Sequence, residues 1–205
     1  NDVLFTNTTE RLIKELDKEF HHPIKIMYMP TWRDALYKEN KPFNPFESND
    51  FSLSEFLRVL NEKNAVFLNK SHNFEKKIKY SNMTERFINL NNDQFTDLYL
   101  LIKDIDILIT DYSSVYFDFL LTGKPIILAP FDYDTYISKS RPLYYDYYKE
   151  IEGIKVKNWS ELIDVFKNEK YFNPSQQTIS KFHTYQDNKS SQRVVEKVKR
   201  IVNVK

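Results

Sequence analysis

"ILITDYSSVYFDFLLTGKP" (107–125) runs from a continuous apolar stretch into Asp-Tyr-Ser-Ser and then into a second, amphipathic apolar stretch. The first part reads as a buried strand over 106–110 and the second as a helix over 114–122 that Gly123 stops. The turn between them holds an acid and two adjacent hydroxyls, with no glycine. Working outward, the same alternation recurs: helix 8–18, strand 24–32, helix 54–63, strand 65–72, strand 86–91, helix 95–105 entered through Asp93, strand 125–130, strand 153–157, helix 159–167 and a closing helix 190–204. Ser52 or Ser54 is expected to cap the 54–63 helix, and Ser160 or a neighbour the 159–167 helix. Polar or tyrosine-rich segments at 34–50, 73–85 and 131–150 read as loops. Strands alternating with helices predict an α/β fold with a parallel sheet. No linker is long enough to divide the chain, so residues 1–205 are expected to form a single domain.

Composition narrows what this fold can do. The chain is 41% hydrophobic and 16% aromatic, enough for a sizeable core. Its formal net charge of +1 creates no global basic field, so nucleic acid is not an expected partner and polyanion binding must be local. The absence of cysteine excludes disulfides, cysteine-ligated zinc and thiol catalysis, and fits a reducing compartment. No stretch approaches the roughly 18–20 apolar residues that span a bilayer, so a cytoplasmic location is expected. Only Gly123 and Gly153 occur, so no glycine-rich phosphate loop exists. The first residue is Asn1 rather than Met, and the chain is expected to be an excised piece of a longer one.

In an open parallel sheet, ligands bind beyond the C-terminal ends of the strands. Those ends carry Thr31-Trp32-Arg33, Lys70-Ser71-His72, Asn89 to Asn92, Thr110-Asp111-Tyr112-Ser113-Ser114 and Pro130-Phe131-Asp132. Thr110, Asp111, Ser113 and Ser114 are therefore candidates for substrate binding. Free amides at the start of the helix suit a phosphate, and the two serine hydroxyls add donors; plain N-capping by Ser113 is the competing reading. Capping does not account for Asp118, one turn beyond Ser114 on the same helix face and placed to accept hydrogen bonds from ribose hydroxyls. His72 lacks the second histidine or cysteine of a metal site and either donates to a diphosphate or bonds to backbone. Arg33 offers a planar fork for phosphate, against the alternative of an ordinary surface arginine. No metal and no cofactor are expected. The tyrosines of 133–148 either form an acceptor platform or pack that loop onto the domain.

Taken together, "YMPTWRD", "NKSHN", "DLYLLIKDIDILITDYSSVYFDF", "GKPIILAPFDYDTYISKSRPLYYDY" and "FHTYQDNKSSQRVVE" occur in the order found in the CDP-glycerol glycerophosphotransferase family, which the chain resembles over essentially its whole length. The resemblance implies a Rossmann-like parallel sheet flanked by helices, the C-terminal half of a GT-B fold, with the N-terminal acceptor domain absent from this chain. It implies that His72, Ser113 and Ser114 hold the diphosphate of CDP-glycerol, that Asp118 holds the ribose, that Arg33 and Arg141 line the phosphates, and that Asn89 to Asn92 face the cytosine. His72 and Arg33 would be the catalytic residues. The chain departs from the family at Asn73, at Pro142 and at "IEGIK" (151–155), so CDP-ribitol or another CDP-linked alcohol stays open as donor.

The activity so implied is transfer of glycerol phosphate to the hydroxyl of a growing teichoic acid or capsule-like polymer, with release of CMP. Its partners would be the CDP-alcohol, a lipid-linked polyol-phosphate acceptor and the enzyme's own N-terminal domain. The parent enzyme would lie at the inner face of the cell membrane. The general base is expected to be a histidine of the other domain, so the isolated chain should bind donor and turn over little. Two alternatives are a GT-B glycosyltransferase domain using a nucleotide-sugar donor and a non-catalytic α/β binding domain.

Overall fold

The structure is a computed structural model and describes residues 2–33, 43–70 and 86–202. In chain order its elements are α1 (Arg11–Glu19), β1 (Ile24–Met29), α2 (Leu53–Glu62), β2 (Ala65–Asn69), β3 (Phe87–Asn89), α3 (Leu98–Lys103), β4 (Ile107–Thr110), α4 (Val115–Leu120), β5 (Ile126–Leu128), α5 (Tyr133–Lys139), α6 (Tyr147–Glu150), β6 (Ile154–Lys155), α7 (Trp159–Lys167), α8 (Gln176–Phe182) and α9 (Ser190–Val202). All six strands are parallel, in the order β3-β2-β1-β4-β5-β6. The expected α/β sheet is therefore present.

Both faces of the sheet are covered, which is why its strands read as near-continuous apolar runs. On one face Met27, Val66, Leu68, Leu108, Ile126 and Leu128 pack against residues of α1, α3 and α4 such as Leu16, Leu101 and Phe119. On the other, Ile26, Tyr28, Phe67, Ile107, Ile109 and Ile127 meet Phe56 of α2 and Trp159 and Phe166 of α7. Each fully buried aliphatic or aromatic side chain contributes ~1.5–3 kcal/mol. After β3 the chain crosses to the far side of β1 and continues outward through β4, β5 and β6. This reversal between β1 and β4 opens a crevice at their C-terminal ends.

Local chemistry trims the expected boundaries. Asp97, not Asp93, opens α3: its Oδ1 accepts from the amides of Tyr99 (2.6 Å) and Leu100 (3.3 Å). Asn158 rather than Ser160 caps α7, accepting from Glu161 N at 2.8 Å. Ser52 caps α2 as expected. The regular part of α4 ends at Leu120, because Leu121, Thr122 and Gly123 then bond three residues back, to Asp118, Phe119 and Leu120. Gly123 follows at φ 66°, the left-handed stop expected of it.

Two loop expectations need correction. Part of the 34–50 stretch is core: Pro45 and Phe46 are buried in a short 3₁₀ turn, Pro45–Glu47. There Trp159 donates its indole N–H to Pro45 O at 2.7 Å, with the rings of Phe46 and Phe51 at 5.1 and 4.6 Å. The tyrosine-rich 131–150 region forms α5 and α6, with Tyr136 and Tyr147 buried. A further helix, α8, falls where none was expected, and it buries only Ile179. The 73–85 excursion lies outside the described residues.

Candidate functional site

The crevice between the ends of β1 and β4 widens into a groove of about 740 Å³. Thr31 and Trp32 line it from the end of β1, Lys70 from the end of β2, Ser113 and Ser114 from the start of α4, and Arg141 from the segment after α5. Thr31 and Trp32 stood among the strand-end residues read from sequence; Lys70 did too, but without a role of its own. A smaller pocket of about 180 Å³, walled by Tyr145, Tyr147 and Phe117, is also lined by the same two serines.

At the start of α4 the hydroxyls are little used for capping. Ser114 makes no capping hydrogen bond, and Ser113 Oγ accepts from Val115 N only at 3.5 Å, the outer limit of a bond. The first intrahelical bonds are Tyr116 N to Ser113 O (3.2 Å) and Phe117 N to Ser114 O (3.0 Å). A six-residue helix carries a small dipole, so any anion held here depends on the hydroxyls and nearby cations as much as on the helix. Asp118 sits one turn on, half-buried, its Oδ2 accepting from Tyr99 OH at 3.4 Å. Burial, and then the Asp118 charge, push the Tyr99 phenol above its ordinary value.

Behind the groove lies a different kind of chemistry. Thr110 is fully buried and donates its hydroxyl to Met29 O at 2.7 Å, joining β4 to β1. Asp111 is buried too; its Oδ1 accepts from Thr31 N (2.8 Å) and Tyr112 N (2.5 Å), and its Oδ2 lies 2.7 Å from Arg33 Nη2. Both were expected to touch substrate, and both instead hold strand ends together. Arg33, 4% exposed, turns its fork away from the groove, to Asp111 and Asp132. Burial opposes its charge, but the two carboxylates outweigh that and raise its pKa. Asp132 was read only as a strand-end residue. Its role depends on an arginine 99 residues earlier, which spacing cannot reveal.

Asn89 accepts on Oδ1 from the side-chain amide of buried Asn69 (2.7 Å), beside the groove rather than among its lining residues. His72 lies outside the described residues. The structure thus brings Ser113, Ser114 and Arg141 together, sets Asp118 and Asn89 at the margin, and buries Thr110, Asp111 and Arg33. Among the described residues no group of three or more His, Asp or Glu is placed to hold a metal ion. None of their helices is long and apolar enough to cross a membrane.

Residues 1–200 match the family model described as CDP-Glycerol:Poly(glycerophosphate) glycerophosphotransferase. The chain belongs to this family. Among its relatives is the teichoic acid glycerol-phosphate transferase of Staphylococcus aureus, 31% identical over 206 residues that cover 97% of this chain and 50% of that protein. The teichoic acid poly(ribitol-phosphate) polymerase of Bacillus spizizenii is 34% identical over 179 residues, 84% of this chain and 27% of the relative. The solved structure of the wall teichoic acid polymerase TagF superposes with a TM-score of 0.63 at 26% identity, covering 93% of this chain and 47% of that one. The chain therefore spans about half the length of the transferase and of TagF, and about a quarter of the ribitol-phosphate polymerase.

Proposed function

We propose that this chain is the donor-binding part of an enzyme that transfers glycerol phosphate from CDP-glycerol to the hydroxyl of a growing teichoic acid or capsule-like polymer. The observation that carries this reading is the groove at the β1/β4 reversal, where two serines with little capping duty meet Lys70 and Arg141, with Asp118 one turn behind. In this reading the Ser113 and Ser114 hydroxyls and the neighbouring amides hold the diphosphate, His72 and Arg141 add positive charge, Asp118 accepts from the ribose hydroxyls, and the Asn89 segment faces the cytosine. An acceptor hydroxyl attacks the glycerol-bearing phosphorus, the bond from that phosphorus to the CMP oxygen breaks, and CMP leaves with the electron pair. The acceptor proton passes to a general base. It would come from the other half of the enzyme, which also holds a lipid-linked acceptor at the inner face of the membrane.

The test is thermal unfolding of the chain with CDP or UDP. A ligand that binds only the folded state at 100 times its Kd stabilises by about 2.7 kcal/mol, a rise of about 5–10 °C for a domain of this size. CDP should produce that rise and UDP should not, and Asp118→Ala should abolish it while leaving the ligand-free transition in place. No rise with CDP would overturn the reading, and a preference for UDP would favour a nucleotide-sugar donor.

A further inference from the structure

We infer that Arg33 does not touch the donor and that it acts, with Asp132, as a positioning residue for the Ser113-Ser114 turn; this rests on the donor-binding reading above. Every nitrogen of the guanidinium is engaged. Nε donates to Asp132 Oδ2 at 2.9 Å and Nη2 to Asp132 Oδ1 at 2.8 Å, while Nη2 also lies 2.7 Å from Asp111 Oδ2 and Nη1 donates to Thr31 O. The two carboxylate side chains are 0% and 8% exposed. Phe43, Tyr112 and Tyr136 stand over the guanidinium at 4.9, 5.2 and 5.2 Å. A phosphate could reach this fork only by displacing a buried carboxylate, which would leave that charge unpaired.

The cluster carries two negative charges and one positive, so its pull on an anion is unfavourable and its value must be geometric. Its bonds end on the residues that aim the turn. Asp111, held by Arg33, fixes the amides of Thr31 and Tyr112. Asp132, held by the same fork, accepts from Tyr112 OH at 3.3 Å, and the Tyr112 ring stacks on Tyr136 at 4.1 Å. Tyr147 OH donates to Asp111 O at 3.2 Å. The residues preceding Ser113 are thereby tied to the ends of β1 and β5 at once. Arg33 is the cation that both acids share, and lysine, lacking a planar fork, cannot replace it.

The experiment is a double-mutant cycle on this chain with Arg33→Gln, Asp132→Asn and the pair, plus Arg33→Lys and the milder Tyr112→Phe. CDP affinity is measured by calorimetry at several salt concentrations, and exchange of the 111–115 amides by hydrogen–deuterium exchange. We expect each single substitution at Arg33 or Asp132 to weaken CDP binding about tenfold or more, because misplacing a binding group by about 1 Å is costly. The pair should be no worse than the poorer single variant, Arg33→Lys should not rescue, and the salt dependence should be unchanged. Exchange over 111–115 should rise about tenfold in Asp132→Asn and measurably in Tyr112→Phe, scaled to the same hydrogen bonds. If Arg33 contacts phosphate directly, Asp132→Asn will leave binding unchanged or tighter, Arg33→Gln will flatten the salt dependence, and the two effects will add. Should CDP fail to bind the unsubstituted chain, the donor-binding reading falls alone; unchanged 111–115 exchange in Asp132→Asn and Tyr112→Phe would overturn the positioning role itself.

Discussion

Glu10 offers a sharp test of how the helical layer is held. It is 97% buried at the start of α1, and its Oε1 accepts from Thr96 N (3.1 Å), Thr96 Oγ1 (2.5 Å) and Asp97 N (2.8 Å) at the start of α3. Glu10→Ala strands two backbone amides, since the Thr96 hydroxyl can rotate elsewhere; at about 1.5 kcal/mol for each bond to a charged acceptor, the loss is ~3 kcal/mol. For a chain of this size that lowers Tm by about 6–12 °C. Glu10→Gln keeps an acceptor oxygen but loses the charge, which roughly halves bond strength, so about half the loss is expected. Acidity supplies a second signature. Burial works to raise the Glu10 pKa, but the three donors outweigh it and hold the group below its ordinary 4.5. The carboxylate's contribution is therefore complete above that value and is lost as pH falls through the lower folded-state value. The gap between the unsubstituted chain and Glu10→Gln should be full at neutral pH and close under acid. Urea unfolding followed by circular dichroism at neutral and acidic pH measures both. A Glu10→Ala loss under about 1 kcal/mol, or a Gln variant whose deficit ignores pH, would refute the reasoning.

Trp159→Phe removes an indole N–H from a buried carbonyl and leaves a void among the Phe46, Phe51 and Phe56 rings; a loss of ~2–4 kcal/mol is expected by urea unfolding. The two glycines should respond unequally to alanine. At Gly123, φ 66° with nothing within 4 Å of a new Cβ, the cost is about 1 kcal/mol of backbone strain, measured the same way. At Gly153, φ 145°, a Cβ would meet Ile126 O and Leu128 Cδ1 at 3.1 Å, and the loss should exceed that at Gly123.

The sheet was legible because its inner strands are masked from water on both sides and so write themselves as largely apolar runs, as "ILIT" does. The same logic fails for Pro45 and Phe46, whose polar neighbours hide two core residues inside what reads as a loop. It fails also for α8, where Ile179 alone is buried and no apolar stripe exists to be seen. At the site, Ser113 and Ser114 reach the groove as the strand-end rule requires, and Arg141, which only the family resemblance named, reaches it too. The rule does not distinguish residues that face the crevice from those beneath it: Thr110 and Asp111 differ from Ser113 by two or three positions yet are buried and bonded to the end of β1 and the residues after it. Arg33 was read as a free fork because its partners Asp111 and Asp132 lie on two later strand ends, and only the folded sheet brings the three together.

The register of β1 on β4 sets Ile26 opposite Ile107, so the crevice floor joins segments separated by most of the first half of the chain. Closing a loop of about 80 residues costs on the order of 4 kcal/mol in chain entropy before any contact rewards it. A nascent or partly collapsed molecule containing only β1, β2 and β3 thus has no rudimentary groove, however native its strands. A ligand of the groove can recognise the molecule only after that central seam has zipped, which makes ligand occupancy a reporter of topological completion.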